Sequence, residues 1–189
     1  MLNWVEIDAG ALRNNIAEFK RRLGQGPRLG AVVKSNAYGH GMIEVARVAA
    51  DASADWLCVN NVDEGVALRE AGLTLPILVM GYVPLDGLGE VVERALQPIV
   101  YNLETLDRLD AIASARGATV GVHVKIETGT HRQGVLERDV PGFVARIRDA
   151  RALTLAGITT HFANIEDTTN HDFAESQIAA FSRIADVIA

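Results

Sequence analysis

From Arg28 onward, short runs rich in β-branched residues alternate with longer stretches of helical periodicity, and repeated βα units around a parallel sheet are the architecture that this alternation fits. The runs at 28–34, 55–59, 76–80, 96–100, 119–126 and 153–160 read as six strands. Between them, 43–51, 62–71, 88–95, 103–115 and 138–149 carry apolar residues three and four apart, as at Leu103, Leu106, Leu109 and Ile112, and read as the covering helices. An earlier helix over 10–23 follows the strand-like residues 4–7. A last one over 172–188 sets Ile178, Phe181, Ile184 and Ile188 on one stripe. Gly24, Gly72 and Gly117 follow helical stretches, where a residue that tolerates a left-handed backbone ends a helix well.

Periodicity does not fix strand order, so a doubly wound sheet and a truncated barrel both remain open at this level. Six βα units are too few to close an eight-stranded barrel, and no linker, low-complexity segment or charge block interrupts residues 1–189. The chain therefore reads as one continuous domain.

A formal net charge of -6 and a pI near 5.3 give no electrostatic footprint for nucleic acid or for an anionic membrane surface. No run approaches the roughly 20 apolar residues of a membrane helix, and the N-terminal residues lack the basic and apolar regions of a signal peptide, so a cytoplasmic protein is expected. The single cysteine, Cys58, lies in the apolar run Trp56-Leu57-Cys58-Val59 and reads as a buried thiol in a reducing compartment. His123, His131, His161 and His171 include no pair at helical i, i+4 spacing. Glu166 and Asp167 beside His171 read as a solvated loop, so no metal is expected. No glycine-rich phosphate loop of the dinucleotide or P-loop kind is present, which argues against nucleotide binding.

Lysine is scarce: of 18 basic residues only Lys20, Lys34 and Lys125 are lysine. The run Leu29-Gly30-Ala31-Val32-Val33-Lys34 ends in one of them and passes directly into Ser35-Asn36-Ala37-Tyr38-Gly39-His40-Gly41. The carboxyl ends of parallel strands form the active face of α/β proteins, so Lys34 is expected to project into a pocket.

The segment from Val32 to Gly41 resembles the cofactor-attachment motif of alanine racemases, differing mainly at Ser35, where alanine is common. The resemblance implies a TIM-type (β/α)8 barrel truncated to about six βα units, with pyridoxal 5'-phosphate covalently held by Lys34 and Tyr38 directed at its phosphate. A second segment, Val122-His123-Val124-Lys125-Ile126-Glu127-Thr128-Gly129-Thr130-His131-Arg132-Gln133-Gly134, is similar to another strand and loop of that family. By that likeness Arg132 donates to the cofactor's phenolic oxygen, and Lys125, often carbamylated in such enzymes, holds the arginine. Glu127 stands where aspartate is usual, and Thr130, His131 and Gln133 depart from the common loop, which bears on substrate preference. The third segment, Leu155-Ala156-Gly157-Ile158-Thr159-Thr160-His161-Phe162-Ala163-Asn164, is similar to the family's Thr-His-Phe-Ala signature, and the likeness implies that His161 lies over the cofactor ring.

The resemblance further implies interconversion of L-alanine and D-alanine for peptidoglycan, in a homodimer whose partner subunit supplies a second proton carrier, a tyrosine from a β-rich C-terminal domain. None of Tyr38, Tyr82 and Tyr101 lies in a segment matching that tyrosine. The isolated 189-residue chain is accordingly expected to have little or no activity. A serine or broad-spectrum racemase, a non-catalytic pyridoxal-phosphate-binding barrel and a remnant without cofactor are the alternatives.

Overall fold

A computed structural model describes residues 4–166 and 169–188, which form two compact units: Met1–Tyr82 with Glu93–Leu96, and Val83–Val92 with Gln97–Ala189. In the first unit, helix α1 (Ala9–Leu23) begins where the Asp8 carboxylate accepts the amides of Gly10 and Ala11, and it ends at Gly24. Strands β1 (Gly30–Val32), β2 (Trp56–Val59) and β3 (Ile77–Val79) run parallel, with Val32 opposite Cys58 and Cys58 opposite Leu78. They alternate with a helical turn, α2 (Lys34–Tyr38), and with α3 (Met42–Asp51) and α4 (Val62–Glu70). Asp55 accepts the Leu29 amide at 2.7 Å and the Lys20 ammonium at 2.8 Å, tying α1 to the start of the first strand pair. Leu57, Leu68, Ile77 and Val79 are fully enclosed. Burying a side chain of the leucine kind contributes roughly 1.5–3 kcal/mol, so these four, with the equally enclosed Val33 and Val59, are a large part of the unit's cohesion.

Residues 4–7 form no strand: Trp4 is 70% and Val5 81% exposed, and an extended segment without a neighbour to complete its backbone ladder has nothing to hold it as one. Strand β1 is also shorter than the sequence pattern predicts. It ends at Val32, although the Val33 amide still donates to the Cys58 carbonyl at 2.9 Å. Cys58 itself is buried, and burial pushes its thiol up to about 11.

The second unit repeats the pattern with β4 (Gln97–Val100), β5 (Val120–Lys125) and β6 (Leu153–Thr159), again parallel. Helices α5 (Leu88–Glu93), α6 (Leu103–Ala115), α7 (Val140–Arg148) and α8 (Asp172–Ile188) accompany them. The Asn102 side chain accepts the Thr105 amide at 2.8 Å and starts α6, whose Leu106, Leu109 and Ala113 are fully buried. The β5–β6 register slips by one residue between Val122 and His123, so that His123 faces Gly157. A Cβ built on Gly157 would come within 3.0 Å of the His123 ring, which is why a residue without a side chain stands there. In α8 the buried positions are Ala174, Gln177 and Ile184, while Ile178 is 49% exposed. The stripe expected from the sequence is therefore rotated: Phe181 and Ile184 belong to the inward face, Ile178 does not, and a glutamine takes its place there.

Candidate functional site

In the first unit, Lys34 begins α2 as the second residue beyond the carboxyl end of β1, and it is half-buried. Among the described residues its ammonium has no hydrogen bond or ion pair. The next four residues are left-handed, with φ of 53° at Ser35, 55° at Asn36, 50° at Ala37 and 55° at Tyr38. L-residues pay steric strain in that conformation, about 1–2 kcal/mol each, so the turn persists only because many bonds determine it. The Ala37 amide donates to the Val33 carbonyl at 2.8 Å, and the Gly41 amide to the Asn36 carbonyl at 3.0 Å. The Asn36 side-chain oxygen accepts the Met42 amide at 2.9 Å and so joins the turn to the start of α3. Glu64 accepts the Ser35 amide at 2.6 Å. Tyr38, at the end of this turn, is 62% exposed.

In the second unit, Lys125 closes β5 and is buried, 5% exposed. Burial lowers its pKa first, the Arg132 guanidinium lowers it further, and the Glu127 carboxylate opposes both. The loop after β5 folds back on itself. The Val135 amide donates to the Lys125 carbonyl at 2.8 Å, the Glu127 amide donates to the Val135 carbonyl at 3.0 Å, and Ile126 bridges Val135. A Cβ on Gly134 would lie 2.6 Å from the Glu127 nitrogen, so the return requires glycine. Burial works to raise the Glu127 pKa, but the amides of Gly129, His131 and Thr130 and the Thr130 hydroxyl outweigh it and hold the carboxyl below its usual value. Glu127 thus braces the loop that carries Arg132. Arg132 and His161, which follows β6, are both exposed.

The groups around His161 are joined by a polar cluster that the sequence pattern did not announce. Thr128 and Thr160 share a hydroxyl–hydroxyl bond of 2.7 Å, and the Thr160 hydroxyl donates to the Ile126 carbonyl at 3.1 Å. Gln177, fully buried in α8, donates to the Thr128 hydroxyl and to the His161 carbonyl, and accepts the Ala163 amide. A polar residue on the apolar face of an amphipathic helix was the available signal. A cavity of about 740 Å³ in the same unit is lined in part by Tyr101, Asn102, Gly134, Leu136, Arg138 and Phe143, and by none of the expected site residues. Its arginine is engaged with Asp139 at 3.6 Å. Among the described residues no helix is long and apolar enough to cross a membrane.

Comparison with known proteins gives one consistent likeness. The profile of the alanine racemase N-terminal domain family matches residues 7–189. The alanine racemase of Methanococcus maripaludis is 37% identical over 180 residues, 95% of this chain and 48% of the relative. The crystal structure of alanine racemase from D-cycloserine-producing Streptomyces lavendulae matches with a TM-score of 0.90 at 32% identity, over 96% of this chain and 48% of that one. The alanine racemase of Bacillus anthracis with bound L-Ala-P matches with a TM-score of 0.89 at 32% identity, over 97% of this chain and 47% of that one. The chain thus spans about half the length of the relatives it matches. The parallel βα succession and this likeness make the fold a truncated TIM-type barrel, which decides between the two architectures that periodicity left open.

Proposed function

This chain belongs to the alanine racemase N-terminal domain family, and on that premise we propose that it is the cofactor-binding part of a pyridoxal-phosphate-dependent racemase interconverting L-alanine and D-alanine. The observation that carries the reading is the Lys34 ammonium, half-buried beyond the end of β1 and without a partner among the described residues. A lysine in that setting is disposed for amine chemistry, because its amine can lose a proton and bond covalently to an aldehyde, which arginine cannot do. The donor set fits the group. Lys34 suits its aldehyde, the phenol of Tyr38 its phosphate, the guanidinium of Arg132 its phenolic oxygen, and the flat imidazole of His161 its ring.

When bound, pyridoxal phosphate supplies an electron sink that makes the substrate's Cα proton acidic. The Lys34 amine would take up and return that proton on one face. Arg132 fixes charge, with Glu127 bracing its loop and Lys125 behind it. Lys125 is held toward its neutral form, the form that reacts with carbon dioxide, and its carbamate would convert repulsion of Arg132 into attraction. The proton carrier for the opposite face is assigned to the partner subunit of a homodimer, in the half of the relatives' length that this chain does not span. The 189-residue chain, an N-terminal barrel domain spanning about half the relatives' length, is therefore expected to turn over little or no alanine by itself. A small amino acid as substrate agrees with the L-Ala-P named in the Bacillus anthracis structure. The physiological role proposed is supply of D-alanine for peptidoglycan in the cytoplasm, where a lone unoxidised cysteine is at home.

The test is chemical. Incubation with pyridoxal phosphate, borohydride reduction and peptide mapping should put the pyridoxyl label on Lys34 and leave Lys20 and Lys125 unmodified. No label at Lys34, or label that survives Lys34→Arg, contradicts the reading.

A further inference from the structure

The amide of Ser35, the residue directly after the proposed cofactor lysine, is held by a side chain from a different βα unit. Glu64 lies in the first turn of α4, where its own amide donates to the Asn61 side chain at 2.9 Å. One Glu64 carboxylate oxygen accepts the Ser35 amide at 2.6 Å, and the other accepts the Asn60 amide, just past the end of β2, at 2.7 Å. An acidic residue at the third helical position ordinarily turns back to the chain that enters its own helix, satisfying a donor the helix leaves unpaired. Here half of that capacity goes to the neighbouring strand's exit instead. Both bonds are short and charge-assisted, the stronger kind.

The Ser35 amide needs such a partner. It is among the first donors of a helical turn and has no acceptor within it. Ser35 is also the first of four successive non-glycine residues in the left-handed region. The bonds inside the turn, from Ala37 to Val33 across it and from Gly41 to Asn36 beyond it, do not use the Ser35 amide. Glu64 thus fastens the residue after Lys34, as the Val33 bond to Cys58 fastens the residue before it, at the point where the chain changes from extended to left-handed.

We propose that Glu64 is a positioning residue for Lys34: by clamping the Ser35 amide it fixes the direction in which the lysine amine leaves β1, and so the rate at which that amine captures an aldehyde. The inference rests on Lys34 being the cofactor anchor. In the capture the deprotonated amine forms a carbon–nitrogen double bond to the aldehyde carbon, and the aldehyde oxygen leaves as water with the two amine hydrogens. Glu64 takes no part in that exchange. Its carboxylate acts only through the backbone.

The test compares capture of pyridoxal phosphate by the full chain, followed as borohydride-fixed label on Lys34 against time, in wild type, Glu64→Gln and Arg69→Ala. The glutamine side chain of Glu64→Gln presents an acceptor to only one of the two amides and a donor to the other. Arg69 sits at the far end of the same helix, where it donates to the carbonyls of Leu73 and Leu75 at 2.8 Å, so its loss weakens the same unit without touching the Ser35 clamp. The expected result is capture at least tenfold slower in Glu64→Gln, faster amide exchange at Ser35, and a wild-type rate in Arg69→Ala despite a lower melting temperature. Equal capture rates in Glu64→Gln and wild type, with Lys34 labelled in both, overturn the clamp and leave the anchor standing. No label at Lys34 in wild type removes both together. If Glu64→Gln does not fold, Glu64→Asp, one methylene too short to span both amides, takes the same readouts.

Discussion

The side-chain amide of Gln177 donates to the backbone carbonyl of His161 at 3.2 Å, although its helix is otherwise apolar on that face. The same amide reaches the Thr128 hydroxyl at 3.2 Å, and the Gln177 oxygen accepts the Ala163 amide at 2.9 Å. One enclosed side chain therefore binds the exit of β5, at Thr128, to the exit of β6, at His161 and Ala163. In a low-dielectric setting such bonds are strong when complete and costly when broken.

Replacing Gln177 by leucine keeps its volume and removes three bonds at once. The Ala163 amide, the His161 carbonyl and the Thr128 hydroxyl, all part-buried, lose this partner, and a polar group left unsatisfied costs about 1–3 kcal/mol where water is excluded and less where water reaches it. Gln177→Leu should accordingly lower the unfolding free energy by roughly 2–4 kcal/mol in urea titration. A midpoint within error of wild type would show that the loops do not depend on it.

That residue also marks the limit of what the sequence conveys. The six strands were legible because buried parallel strands leave runs of β-branched residues, and all six are present within a few residues of their expected bounds. The position of Lys34 was legible too, since the run that it closes is the first strand and the lysine lies just beyond it, half-buried. The left-handed course of Ser35, Asn36, Ala37 and Tyr38 was not, because among them only asparagine is at ease with positive φ, and the strain is offset by partners distant in sequence, such as Glu64. Glu64 did carry a signal in Asn61-x-x-Glu64, a helix-start pattern, but which amide the glutamate would reach depends on the neighbouring strand. The α8 stripe was misjudged by counting apolar residues alone, which favoured Ile178 over the buried Gln177.

Lys125 offers a measurable electrostatic link to Arg132. Burial and then the Arg132 charge lower its pKa, so removing that charge should raise it again. With three lysines in the chain, NMR of labelled side-chain amines resolves each one. Lys125 should titrate below the ordinary lysine value of 10.5 and move upward in Arg132→Ala. The folded state binds its proton less readily than the unfolded chain, so this group makes stability rise with pH between its lowered value and 10.5. An unchanged Lys125 titration in Arg132→Ala would mean that the two charges do not interact.

The left-handed turn gives a prediction about side-chain shape. Ser35 has a φ of 53°, a region that β-branched residues avoid more strongly than serine does. Ser35→Val should destabilise the chain by about 1–2 kcal/mol, whereas Ser35→Gly, free of the Cβ clash, should come within about 1 kcal/mol of wild type. Thermal unfolding of the three proteins gives the order. Valine as stable as glycine would show that the turn is not strained at this position.

His123 supplies the acid-side counterpart of Lys125. Its Nε2 lies 2.9 Å from the Gln97 side-chain oxygen, so the ring donates there, while Gly157 leaves it room on the neighbouring strand. Burial lowers its pKa from 6.5, because the protonated ring would lose solvation inside the unit. Below pH 6.5 the unfolded chain gains a proton at this position that the folded chain declines until the lower value is reached, so stability must fall as pH drops through that window. His123→Gln cannot titrate and keeps a hydrogen-bonding side chain toward Gln97. Its unfolding free energy should therefore decline less steeply than that of wild type as pH falls below 6.5, with the two curves running parallel at neutral pH and above. Identical slopes in the acid range would show that His123 takes up its proton as easily in the folded chain as in the unfolded one, and that the slip in the β5–β6 register does not shield it.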